Sequence, residues 1–138
     1  MIALDASILV AHLSPHDPHH DAATRLLRDA AGERLIAHGL TLAEVLVGGA
    51  RIGRDEQMLA DLRAAGVQDA DRPGDEPLRL ARLRARTGLK LPDCCVLDAA
   101  LSHAASLATF DQALAIAARR LQLEVLPAVG SDTDMFSS

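Results

Sequence analysis

Four carboxylates spaced along the whole chain, Asp5, Glu44, Asp93 and Asp111, are the residues whose types and positions could do chemistry. Asp5 ends the apolar run Ile2-Ala3-Leu4, and Asp111 follows Leu107-Ala108 by a few residues. Glu44 falls in the first turn of a helix opened by Thr41, and Asp93 in the first turn of a helix opened by Pro92. In an α/β fold the ligand crevice lies outside the carboxyl ends of parallel strands, where strand ends and helix starts meet. The helix of Asp93 follows another helix, so its local context places it less firmly than the other three.

Such a gathering is costly on its own. Two unit charges ~5 Å apart repel by about 3 kcal/mol at an effective dielectric of ~20. Six such pairs approach ~20 kcal/mol, above the ~5–15 kcal/mol that holds a typical domain together. Either the acids take up protons or divalent cations occupy the site. An all-oxygen donor set selects hard ions, which makes Mg²⁺ the expected occupant and Mn²⁺ its substitute. Such an ion binds phosphate oxygens and activates water.

The elements that must position these acids follow from apolar patterning. Strands are predicted at Met1–Leu4, Leu35–Ala37, a weak one at Val67, Leu107–Ala108 and Val125–Leu126. Between them lie a helical turn at Ile8–Leu13 and a helix bearing Ala22, Ala23, Leu26, Leu27 and Ala30, closed by Gly32. Further helices run from Thr41 to Gly48-Gly49, from about Asp55 to Ala64, through Arg79–Arg86 to Gly88, from Pro92 through Cys94, Leu97 and Leu101, and through Leu114–Leu121. Short strands alternating with helices predict an α/β domain, a central parallel sheet flanked by helices in three layers. A single domain over residues 1–128 and a flexible tail over 129–138 are expected.

Composition narrows the function. The 138 residues are 49% hydrophobic and 24% charged, the balance of a globular chain. Net charge is −5, so no global basic field attracts nucleic acid or membrane, and a polyanion would need a local device. Aromatics make up 1%, only Phe110 and Phe136, which argues against a stacking platform for bases. Cys94 and Cys95 are adjacent, excluding a disulfide framework, and read as small core fillers. No signal peptide or membrane span is legible, and a cytoplasmic location is expected.

The order Asp5…Glu44…Asp93…Asp111 resembles the acidic set of PIN-domain nucleases, in particular the small VapC-like toxins of bacterial toxin–antitoxin pairs. The likeness covers Ile2 to Leu126 and rests on Leu4-Asp5-Ala6-Ser7, Leu42-Ala43-Glu44-Val45, and Pro92-Asp93 through Leu107-Ala108-Thr109-Phe110-Asp111. It implies a Mg²⁺-dependent endoribonuclease acting on RNA, a homodimer, and a small cognate antitoxin. By the same likeness the four acids are the metal-binding and catalytic residues. Ser7 and Thr109 would be hydroxyl neighbours that orient a carboxylate or a water.

Blander roles compete at each position. An acid ending a buried strand has little structural use, which favours function for Asp5. Thr41-x-x-Glu44 fits a capping box. Asp93 suits a helix dipole, and Asp111 could cap the helix bearing Leu114. Asp98 lies about 140° around its helix from Asp93 and reads as a rim acid or a salt-bridge partner. His16, His19 and His20 straddle Pro18 without a fourth ligand, so no metal is expected there. Arg79, Arg82 and Arg86 read as a solvated stripe, while Arg51 and Arg54 are the better candidates for RNA contact. A phosphoacceptor receiver would need an acid beside Asp5 and a lysine after a late strand; Ala6 and Lys90 fit neither. An Asp-x-Asp phosphatase would need an acid at Ser7. A catalytically idle PIN-like module working through a protein partner is the alternative.

Overall fold

A computed structural model describes residues 1–128; the expected tail at 129–138 lies outside the described residues. Five short strands, β1 (Ile2–Leu4), β2 (Leu35–Ala37), β3 (Val67–Asp69), β4 (Ser106–Ala108) and β5 (Val125–Leu126), form one sheet. All neighbours are parallel and the order is β3-β2-β1-β4-β5. The order reverses between β1 and β4, so a crevice opens outside their carboxyl ends. Register fixes what meets there: Leu4 lies level with Ala108, which sets Asp5 beside Thr109, and the Asp5 amide donates to the Ala108 carbonyl at 3.2 Å.

Alternation along β1 splits the core into two layers. Ile2 and Leu4 join a cluster with α1 (Ala6–Leu13), α2 (His20–Asp29), α3 (Gly39–Arg51) and α4 (Asp55–Ala64). Ala3 joins α5 (Glu76–Thr87), α6 (Leu91–Ser102) and α7 (Gln112–Arg120) on the other face. This is the three-layer α/β arrangement expected from the strand–helix alternation.

Helix starts depart from the sequence reading at two places. The first helix begins at Ala6, because the Asp5 carboxylate accepts the Ile8 amide at 3.0 Å and supplies an N-cap. α3 begins at Gly39 rather than Thr41, since His38 Nδ1 accepts the Leu40 amide at 3.0 Å and takes the capping role. The Thr41–Glu44 capping box is therefore absent, and Glu44 falls in the second turn. Thr41 is inside the helix with a buried hydroxyl, the one buried side-chain polar atom without a hydrogen bond among the described residues.

α3 also runs through Gly48-Gly49 to Arg51. Gly49 sits where α4 comes close: a Cβ there would displace Met58 Sδ and press to 3.3 Å on the Asp55 backbone, so the bare backbone eases the approach of α4. α6 is buried from Cys94 to Ala100, on all sides of the helix, as befits an element enclosed by the sheet, α3 and α5. Cys94 and Cys95 are free and buried within it, as core fillers should be.

Candidate active site

Asp5 sits at the centre of the crevice, 5% exposed, with three donors on its carboxylate. Ser7 Oγ donates to Oδ1 at 2.7 Å, the Ile8 amide to the same oxygen, and Thr109 Oγ1 to Oδ2. The hydroxyls in turn receive amides: Phe110 N donates to Ser7 Oγ at 2.9 Å and Asp111 N to Thr109 Oγ1 at 2.9 Å. Ser7 and Thr109 thus fix both the Asp5 carboxylate and the backbone that carries Asp111. Asp111 is exposed and caps α7, its Oδ1 accepting the Leu114 amide at 3.0 Å.

The electrostatics tie the remaining acids to this pair. Burial pushes the Asp5 carboxyl above its ordinary range; its three donors oppose that, and the charge of Asp111 adds to it. Asp93, half-buried in the first turn of α6, is raised first by burial and then by the charges of Asp111, Asp5 and Glu44. Lys90 offsets this only in part. Asp93 therefore lies within electrostatic reach of all three other acids, which its local sequence context left insecure. Glu44 is solvent-exposed on α3. None of the four forms an ion pair with a lysine, arginine or histidine among the described residues.

The donor set is all carboxylate and hydroxyl oxygen, the chemistry a hard dication selects. As the side chains lie, no group of three or more His, Cys, Asp or Glu residues among those described is assembled to hold an ion. Arg51 and Arg54 are exposed. Seven residues beyond Glu44 on the same helix, Arg51 is about 10 Å away along the axis.

Other sequence expectations are corrected here. Of the two readings of Asp98, the salt-bridge partner holds and the rim acid does not: it is buried and held by Arg79, with Nε to Oδ1 at 2.7 Å and Nη2 to Oδ2 at 3.0 Å. Arg79 accordingly leaves the solvated stripe, and also donates to the Pro73 and Gly74 carbonyls. Phe110 stacks on His19 with ring centroids 4.4 Å apart and planes 14° apart, so the low aromatic content does leave one flat surface beside Asp111.

A buried network next to the α3 start escaped the sequence reading. His38 Nε2 donates to Glu76 at 3.1 Å while its Nδ1 caps α3, which fixes a neutral ring carrying its proton on Nε2. Arg72 grips the other side of Glu76, and its hydrogen bonds, with the one from His38, hold that carboxyl down to about 2. The available signal was position: His38 follows β2 as Asp5 follows β1.

Residues 2–120 match the PIN domain family. The chain belongs to that family. No curated protein matches the sequence. Among solved structures, the PIN domain is similar in fold to VapC20 of Mycobacterium tuberculosis, a sarcin–ricin-loop-cleaving toxin, with a TM-score of 0.70 at 17% identity over 85% of this chain and 95% of that one. It is also similar to FitAcB from Neisseria gonorrhoeae, with a TM-score of 0.66 at 20% identity over 91% and 96%. A toxin–antitoxin complex from Klebsiella pneumoniae gives a TM-score of 0.65 at 24% identity over 80% and 87%. At these identities the likeness is one of fold. No helix among the described residues of this PIN domain is long and apolar enough to cross a membrane.

Proposed function

We propose that this PIN domain is a Mg²⁺-dependent endoribonuclease, with Mn²⁺ as substitute, and the toxin of a toxin–antitoxin pair. It would act in the cytoplasm as a homodimer restrained by a small antitoxin. The reading rests on one observation above the rest: Asp93 feels the charges of Asp5, Glu44 and Asp111 at the strand-order reversal, and none of the four is neutralised by an ion pair with its own chain. The family and the toxins among its structural neighbours support it.

Asp5, Asp93 and Asp111 would hold the metal, with Glu44 completing the set or orienting water. A bound dication would supply charge to the phosphate and a readily ionised water. The chain's own contribution is positional. Ser7 and Thr109 each donate a hydrogen bond to Asp5, which fixes the direction of its two oxygens; with the Ile8 amide also on Oδ1, the lone pair left free is on Oδ2. Water adds to phosphorus and the bond to the 3′ oxygen breaks, leaving 5′-phosphate and 3′-hydroxyl ends. Arg51 and Arg54 would meet the RNA backbone at the rim.

Purified protein should cut RNA with Mg²⁺ or Mn²⁺ and stop on chelation, and Asp5→Asn should abolish cutting while leaving the fold intact. Metal-independent cutting, or full activity in Asp5→Asn, would refute the assignment. The alternative is a catalytically idle PIN-like module. It predicts no cutting with either ion, together with tight capture of a protein partner.

A further inference from the structure

A nuclease acting within a strand must let that strand leave the cutting point in two directions. One exit is visible: a groove of about 670 Å³ is lined by Thr109, Phe110 and Asp111 at one end and runs between α2, α7 and the free edge of β5. Its volume lies in the ~300–1,000 Å³ range of small-molecule sites.

Two features of its wall point to the occupant. The first is the His19–Phe110 stack, a paired flat surface in a chain with almost no aromatic rings. His19 is the exposed member, and imidazole, like other aromatic rings, stacks on nucleobases. The second is charge. The groove acids Asp29 and Glu33 already have counter-charges, Asp29 from Arg28 at 4.0 Å and Glu33 from the amino terminus at 3.0 Å. Arg25 and Arg119, both exposed and lining the groove, have neither an ion pair nor a side-chain hydrogen bond among the described residues. In a protein of net charge −5 these are cations left over beside an acidic centre. A ring surface and two unpartnered arginines, contiguous with Asp111, are what a single-stranded nucleic acid uses: stacking for the base, cations for the backbone.

We infer that this groove is a subsite for a nucleotide flanking the scissile phosphate, its base laid on the outer face of His19, which Phe110 backs, and its phosphate met by Arg25 and Arg119. The inference rests on the nuclease reading and adds to it the direction in which the RNA leaves the acids. An acidic peptide could use the arginines but has no need of the ring surface, so the two occupants separate experimentally.

The test is binding of a fluorescein-labelled twelve-uridine oligoribonucleotide to the full chain in chelator, by polarisation across a salt series. Arg25→Ala with Arg119→Ala should weaken binding about tenfold and lower the slope of log affinity against log salt by about 1.4, near 0.7 per lost phosphate contact. His19→Ala should weaken it by about fivefold or more, with the slope unchanged. Arg120→Ala, on the same helix but outside the groove wall, serves as control and should change neither. All four side chains are exposed, so the variants should fold, as circular dichroism would verify. The inference is overturned if wild type does not bind, if the double variant binds like wild type, or if Arg120→Ala matches the double variant. Loss on removing the arginines with none from His19→Ala also overturns it, in favour of an acidic peptide. Metal-dependent cutting of RNA by wild type is read separately, so failure of the nuclease reading and failure of the groove are distinguishable.

Discussion

Replacing Asp5 by Asn or by Ala removes the same charge but should have opposite effects on stability. Burial raises the Asp5 carboxyl, so the folded state prefers the protonated form, and the ionised form weakens the fold as pH rises from the ordinary carboxylate value through the raised one. Asn removes that charge. It keeps an oxygen for Ser7 and the Ile8 amide; its NH₂ can donate to the second lone pair of Thr109 Oγ1, the first being used by the Asp111 amide, although the Thr109 proton loses its Oδ2 acceptor in this variant as it does in the alanine one. Asp5→Asn should therefore equal or exceed wild type at pH 7, by up to about 2 kcal/mol, the size of gain commonly found when a strained functional site is relaxed. Ala also removes the charge but strips the N-cap from α1, at about 0.5–2 kcal/mol, and leaves the part-buried Ser7 hydroxyl without the acceptor that Asn retains, at about 1–3 kcal/mol. Asp5→Ala should lie about 2–4 kcal/mol below Asp5→Asn, or about 7–14 °C in Tm at ~3.5 °C per kcal/mol for a domain of this length. Thermal unfolding by circular dichroism at pH 7 and below pH 4 measures both effects, and the Asn advantage over wild type should vanish in acid. An alanine variant as stable as the asparagine variant would show that the carboxylate does not hold α1 and Ser7 as described.

Four other outcomes are expected. Asp93→Asn should raise Tm at neutral pH and lose that gain as pH falls to the ordinary carboxylate range, because burial and three neighbouring acids raise this group in the fold. Thr41→Val, which replaces an unpartnered buried hydroxyl by a methyl, should stabilise by about 1 kcal/mol in a denaturant titration. Arg79→Ala should cost about 3 kcal/mol in the same titration, because it leaves Asp98 buried and uncompensated. Glu76→Gln should flatten the acid limb of the stability profile, since a carboxyl held down to about 2 contributes stability that is present above the ordinary glutamate value and lost as pH falls through 2.

The strand pattern was legible because short apolar runs ended by polar residues leave few alternatives; the acids at their ends followed from the same reading. Helix starts were harder. At Thr41 the local pattern of a hydroxyl with Glu three residues on fitted a capping box, yet His38, anchored by Glu76 from another helix, began α3 earlier. No window of sequence around Thr41 contains Glu76, and the cap depends on it. Asp98 and Arg79 show the same limit, since helical angle separates Asp98 from Asp93 but says nothing of a guanidinium arriving from α5. Strand order, which sets the crevice between β1 and β4, lies beyond what local patterning can supply.

On the function proposed above, two of the acids have a double duty, and it bears on how such chains age. A descendant that abandoned phosphodiester chemistry would still be pressed to keep a short oxygen-bearing side chain at positions 5 and 111, because each begins a helix there. Asp93 and Glu44 begin nothing and would drift first. In judging whether a distant relative still cuts, those two positions are the informative ones, and an aspartate surviving after the first strand is weak testimony.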